Sequence, residues 1–143
     1  MGVNSFLVHG ALDISSVKPD LVIPSLTKVK PAAGKRVKQT HPDWKDTEVY
    51  HVIYLPKDWR PDKRYPVIVE YAGNGPYKNK FGDTSAGRPE SSKMGYGISG
   101  GEGFIWVCTP YLNESGNKNT IRWWGDHPIH NPKPTLDYCC LLY

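Results

Sequence analysis

The 143-residue chain has no apolar run near the ~20 residues that a membrane-spanning helix needs. It also lacks the parts of a cleavable leader. Phe6-Leu7-Val8 is apolar, but no basic residue precedes it, and His9 and Gly10 interrupt it. Myristoylation is excluded by Phe6, which stands where a Ser or Thr is required. Cysteine is scarce: Cys108, Cys139 and Cys140 are an odd number without ligand spacing, so neither a disulfide framework nor a zinc site is expected. The terminal Cys140-Leu141-Leu142-Tyr143 fits C-a-a-X only in form, since tyrosine is a poor last residue and no polybasic segment precedes it. Asn113-Glu114-Ser115 spells a glycosylation acceptor, which means little without a secretory leader. These absences predict no membrane partner and leave the cytoplasm as the default compartment.

A strong charge of one sign is missing too. Lys and Arg (18) only slightly exceed Asp and Glu (14), for a net charge of +4. The one basic cluster, Lys28, Lys30, Lys35, Arg36 and Lys38, is broken by Pro31 and Gly34 and has no interleaved aromatics. Nucleic-acid binding is therefore not expected. What is plentiful is turn chemistry, with 14 Gly and 13 Pro against 38% hydrophobic residues. Aromatic content of 12%, gathered in clusters, argues for one turn-rich domain with few long helices rather than for disorder.

Residues 1–33 hold no period and are cut by Pro19, Pro24 and Pro31, so they read as an extended leader that packs Leu21-Val22-Ile23 on the domain. Residues 34–143 form the domain itself. Within it, 34–40 is expected as a lysine-guarded edge strand and His41-Pro42-Asp43 as a turn. Residues 48–55 alternate, with Val49, His51, Ile53 and Leu55 on one face and Tyr50, Val52 and Tyr54 on the other. The β-branched run at 67–72 suits burial in a parallel sheet. A third strand, 103–109, is closed by Pro110, and about thirty residues before it leave room for a right-handed crossover. One or two helical turns are expected within that crossover near 90–95, and a second helix is expected to open at 134–137. No internal repeat is present.

Four groups of residues could carry chemistry. Gly97-Ile98-Ser99-Gly100-Gly101 matches G-x-S-x-G letter for letter. A nucleophile elbow needs a strand before the serine and a helix after it, whereas here a glycine-rich segment precedes Ser99 and a strand follows. Ser99 is thus a weak nucleophile candidate, and a flexible turn is the plainer reading. Gly73-Asn74-Gly75 follows a strand, where glycines allow positive φ and let N–H groups point into a cleft as an oxyanion requires. The same residues would equally make an ordinary strand-ending turn. Asp126, His127 and His130 suggest a metal site, but Pro128 prevents a regular helix from aligning both imidazoles, so a solvated loop is expected, with no metal and no cofactor. Trp123 and Trp124, with Trp44 and Trp59, offer flat faces for sugar rings, or else pack one ring in the core and border a cleft with another. Asp83 and Glu90 have no spacing that argues for acid–base work.

With these segments placed, the chain resembles the N-terminal part of an α/β-hydrolase-fold protein of the esterase and polyhydroxybutyrate-depolymerase-like branch. Residues 50–56, 65–77, 95–111, 122–126 and 135–139 carry the resemblance. It implies an α/β fold with an incomplete hydrolase-type sheet of about four strands and few helices. It also implies Gly73, Asn74 and Gly75 as the oxyanion loop, with the final helix leading to a nucleophile strand. In that family nucleophile, acid and histidine follow in this chain order, later than the residues matched. His127 and His130 come too early to be the base, and His9, His41 and His51 earlier still. The resemblance therefore implies a truncated carboxylic-ester hydrolase that is inactive alone. The alternative is a non-catalytic, β-rich module that binds a carbohydrate or a partner. The ligands implied are a small ester or a sugar, and an open sheet edge would allow self-association.

Overall fold

Prolines and polar turns set the strand limits in the computed structural model, which describes residues 20–124 and 132–140. β1 (Leu26–Thr27), β2 (Arg36–Gln39), β3 (His51–Tyr54), β4 (Val67–Tyr71) and β7 (Ile105–Thr109) build a five-stranded sheet in the order β1-β2-β3-β7-β4. Two small antiparallel pairs flank it: β5 (Tyr77–Lys78) with β6 (Thr84–Ser85), and β8 (Tyr111–Leu112) with β9 (Asn119–Thr120). Helices α1 (Met94–Ser99) and α2 (Lys133–Cys140) complete a mixed α/β architecture.

The sheet is mixed. β2, β3 and β7 run antiparallel in turn, while β4 lies parallel to β7 with Val67 opposite Ile105 and Tyr71 opposite Thr109. The crossover between β4 and β7 carries a 3-10 turn at Pro89–Ser91 and then α1, close to the one or two turns expected there. Residues 41–43 are more ordered than a plain turn: His41 caps a 3-10 turn at Pro42–Trp44, its Nδ1 accepting from the Asp43 N–H.

Two positions in the sheet differ from expectation. β2 is not an edge, because β1 pairs outside it, and Arg36 and Val37 are buried. β4 is not enclosed either. Among the described residues β7 is its one sheet neighbour, and Val67, Val69 and Tyr71 are 42%, 38% and 40% exposed. A β-branched run reports fitness for pairing, not the number of neighbours that arrive.

Each face of the sheet has its own cluster. On one, Val52, Tyr54, Trp106 and Cys108 pack with Tyr96 of α1, with Ile23 and Ile68 at the margin. On the other, Val49 and Leu112 pack with Tyr138 of α2 against Trp44. No side chain at the start of α1 caps the helix, so β4 supplies the cap. Glu70 Oε1 accepts from the N–H groups of Lys93 and Met94 at 3.3 Å each. Its Oε2 accepts from Gly95 N–H at 2.9 Å and the Trp106 indole at 2.8 Å. Gly95 is required by contact: a Cβ there would lie 2.1 Å from Trp106 Cδ1. The Arg36 guanidinium lies over that indole, 5.2 Å from the ring centroid, and donates to the Glu90 and Ser92 carbonyls.

Candidate functional site

Parallel strands end on the same side of a sheet, so β4 and β7 bring residues 72–75 and 110–111 together at their carboxyl ends. In sheets with parallel strands this is where ligands gather. Residues 73–75, 84–87 and 121–123 meet there. Ser85 Oγ donates to the Gly73 carbonyl at 2.9 Å. Gly75 N–H donates to the Ile121 carbonyl at 2.7 Å, and Arg122 Nε donates to the Gly75 carbonyl at 3.3 Å. Trp123 N–H donates to Asn74 Oδ1 at 2.8 Å.

These bonds correct the sequence-based reading of the loop in two respects. Neither Gly73 nor Gly75 takes a positive φ. Glycine is needed here for close backbone approach instead: a Cβ on Gly75 would lie 2.3 Å from the Ala86 carbonyl carbon, and one on Gly87 2.1 Å from the Ile121 oxygen. The second correction concerns donors. The Gly75 N–H is occupied by Ile121, so it is not open to an anion. Gly73 and Asn74 are exposed, and among the described residues no hydrogen bond engages the N–H of either. What the loop can offer an anion is that pair of successive amides.

Two cavities adjoin the loop. A polar one of about 390 Å³ is lined by Glu70, Gly73, Asp83, Ser85, Ser92 and Lys93. Glu70 is no candidate base there, since both of its oxygens already accept two N–H donors. The second, about 360 Å³, is lined by Tyr71, Tyr111, Trp123, Pro132, Thr135 and Leu136. The rings of Tyr71 and Tyr111 stack at 5.7 Å and 21° along one wall. Burial holds the Tyr111 phenol above its ordinary pKa, with Cys139 adding to the shift, so it stays protonated at neutral pH. Sequence reasoning missed both tyrosines. Their signal was available: each sits at the carboxyl end of a strand expected to be parallel.

Ser99 lies elsewhere, as the last residue of α1. Its Oγ accepts from Gly101 N–H at 3.1 Å and donates to the Tyr96 carbonyl at 3.5 Å. Gly100 at φ 61° then ends the helix, and β7 follows. A helix before and a strand after is the reverse of an elbow, and the hydroxyl serves the turn. Neither described histidine reaches it: His41 caps the 3-10 turn and His51 is bonded to Tyr138. Asp126, His127 and His130, like His9, lie outside the described residues. Among the described residues no group of metal-ligating side chains forms.

The remaining candidates separate. Asp83 accepts from the Asn79 amide, while Glu90 accepts from the Tyr50 hydroxyl at 2.9 and 3.1 Å. Trp44 packs edge-on to Tyr138 at 5.1 Å and donates to the Gly116 carbonyl, so it belongs to the core. Trp59 is half-buried in the turn after β3. Trp123 and Trp124 meet edge to face at 5.5 Å, with Trp124 half-buried and Trp123 exposed at the cleft. One ring packed and one at a cleft edge is the plainer of the two arrangements that the sequence allows. Asn113 of the Asn-Glu-Ser triplet is buried, its amide holding Ser115 and Asn117 and its oxygen accepting from Asn117 and Lys118. That side chain organises a turn. Compared with family models, curated proteins and solved structures, the chain finds no match.

Proposed function

We propose that this chain is the N-terminal part of an α/β-hydrolase-type carboxylic-ester hydrolase, and that it supplies the oxyanion side of the active site. The observation that carries this reading is the pair of exposed residues Gly73 and Asn74, whose N–H groups no hydrogen bond engages among the described residues, set at the carboxyl end of a strand in a parallel pair. Two neighbouring segments, 84–87 and 121–123, fix the loop, and a donor pair held before the charge develops is what stabilises an oxyanion.

Topology supports the same reading. β7 already has β3 on one side and β4 on the other. Of the two sheet edges among the described residues, β1 is two residues long and β4 five, so the longer place for a further parallel strand reached through α2 is beyond β4. A strand there would end beside Gly73 and Asn74, the position from which an elbow serine would face the amides. Within the described residues Ser99 has no base, so acyl transfer by this chain alone is not expected.

The test uses the purified chain with a short-chain p-nitrophenyl ester and a serine-directed phosphonate. No turnover and no labelled serine are expected. A phosphonate-sensitive burst that Ser99→Ala abolishes would overturn the assignment of roles.

A further inference from the structure

We propose that the cavity between the end of β2, the start of β3 and Arg88 binds a free phosphorylated sugar, with Lys38 and Arg88 holding its phosphoryl group. No residue of the glycine loop lines this cavity, so its ligand is independent of the ester-hydrolase reading.

Strand register brings the cations together. Lys38 pairs with Val52, which puts Tyr50 diagonally across from it on one face of the sheet. The Lys38 ammonium lies 3.4 Å from the centre of the Tyr50 ring. That ring is held firmly. Asn119 Oδ1 accepts from the Tyr50 N–H at 3.2 Å, and Asn119 Nδ2 donates to the Tyr50 carbonyl at 2.9 Å. Burial, with the Glu90 bond, raises the phenol's pKa, and the Arg88 guanidinium beside it works the other way. Two cations thus converge on one fixed ring. Both are exposed, and among the described residues neither forms an ion pair. Glu90 is bonded to the Tyr50 hydroxyl rather than to either of them. A phosphoryl group offers three acceptor oxygens, enough for charge-assisted bonds to both cations.

The rest of the lining describes the rest of the ligand. The Thr40 hydroxyl donates to the Val49 carbonyl at 2.8 Å and the Thr47 hydroxyl to the Trp44 carbonyl at 2.7 Å, so towards a guest both can only accept. The exposed Glu48 carboxylate, which has no ion pair among the described residues, is a further acceptor. Its charge disfavours a bare phosphate, and a ligand gains from it only by bringing hydroxyl donors. Sugar hydroxyls are such donors. A nucleotide fits less well: Lys38 covers one face of Tyr50 and the ring is buried, so no stacking platform is left for a base. The volume, about 380 Å³, is near the lower end of small-molecule sites, which suits one sugar rather than a polymer.

The test titrates the purified chain by calorimetry with glucose 6-phosphate, inorganic phosphate, glucose and AMP. The sugar phosphate is expected to bind about tenfold or more tightly than any of the other three. Lys38→Gln and Arg88→Gln should each weaken it by about tenfold while the circular dichroism stays unchanged. Lys35→Gln, at an exposed lysine outside the cavity, should leave it as it is. Arg88→Gln carries the test should the loss of Lys38 disturb the Tyr50 ring. Glu48→Gln should tighten inorganic phosphate and narrow the preference for the sugar phosphate. No binding by the folded chain, AMP or glucose binding as tightly, or an equal loss in Lys35→Gln would each overturn the inference. Vesicles carrying phosphatidylinositol phosphate distinguish the source: a preference for them over the sugar phosphate would place the same chemistry on a lipid headgroup and overturn the free ligand.

Discussion

The Nδ1 of His51 and the hydroxyl of Tyr138 meet at 2.7 Å, tying β3 to α2 across 87 positions of sequence. Burial pushes the Tyr138 phenol up to about 12, so it keeps its proton and donates. Burial, with a smaller contribution from His41, lowers the His51 imidazole to about 4, so it stays neutral and accepts.

Stability should therefore depend on pH in one window. An unfolded histidine binds its proton near 6.5 and the folded one only near about 4, so between these values the unfolded chain takes up more protons. Stability is full above about 6.5, falls as pH drops toward 4, and loses about 3 kcal/mol over the window. Urea unfolding at pH 7.5 and pH 4.5 measures this. His51→Gln should flatten the difference, and an unchanged slope in that variant would count against the pair.

Two neighbouring glycines should respond in opposite directions. Gly95→Ala drives a Cβ against Trp106 and should cost about 2 kcal/mol or more. Gly97→Ala meets only Leu21 Cδ2 at 3.6 Å, in ordinary contact, and should be neutral or stabilise by up to about 1 kcal/mol through helix propensity. Thermal unfolding of both variants separates them, and equal effects would contradict the seating of α1 on β7.

Glu70→Gln should loosen α1. Whichever way the amide turns, two of the four N–H donors around it face an NH₂ instead of an oxygen. The expected loss is about 3 kcal/mol, accompanied by a change in Trp106 emission as its indole partner goes. A loss below about 0.5 kcal/mol would show that the carboxylate is not the cap of this helix.

Among the described residues β4 has no strand on its outer side, and that edge should make the chain self-associate. In the parallel ladder Ile105 N–H bonds the Pro66 carbonyl, which leaves the backbone groups of Val67 and Val69 directed away from β7. The opposite edge is only two residues long and is followed by Lys28 and Lys30, a guarded arrangement. Size-exclusion chromatography across a concentration series should show oligomers, and Val69→Lys should reduce them. A monomer at every concentration would contradict this use of the edge.

Much of the sheet was legible beforehand. Alternation marked β3, the β-branched run marked β4, Pro110 closed β7, and the spacing between β4 and β7 gave their parallel pairing. What was not legible depended on partners distant in sequence. The Glu70 cap needs amides 23 to 25 residues later, and the Tyr71–Tyr111 stack needs the register that sets Tyr71 opposite Thr109. The glycine loop shows the limit well. Composition pointed to its place but suggested backbone freedom, whereas contact with Ala86 and the bond to Ile121 decide which amides are available.

The most direct test is an amide-resolved NMR titration of the chain with methylphosphonate, a tetrahedral oxyanion mimic. Saturating shifts at the Gly73 and Asn74 amides, with Gly75 unmoved because Ile121 holds its N–H, are the result expected. An unmoved Gly73–Asn74 pair, or shifts centred on the exposed lysines alone, would contradict the claim that this loop is an oxyanion site.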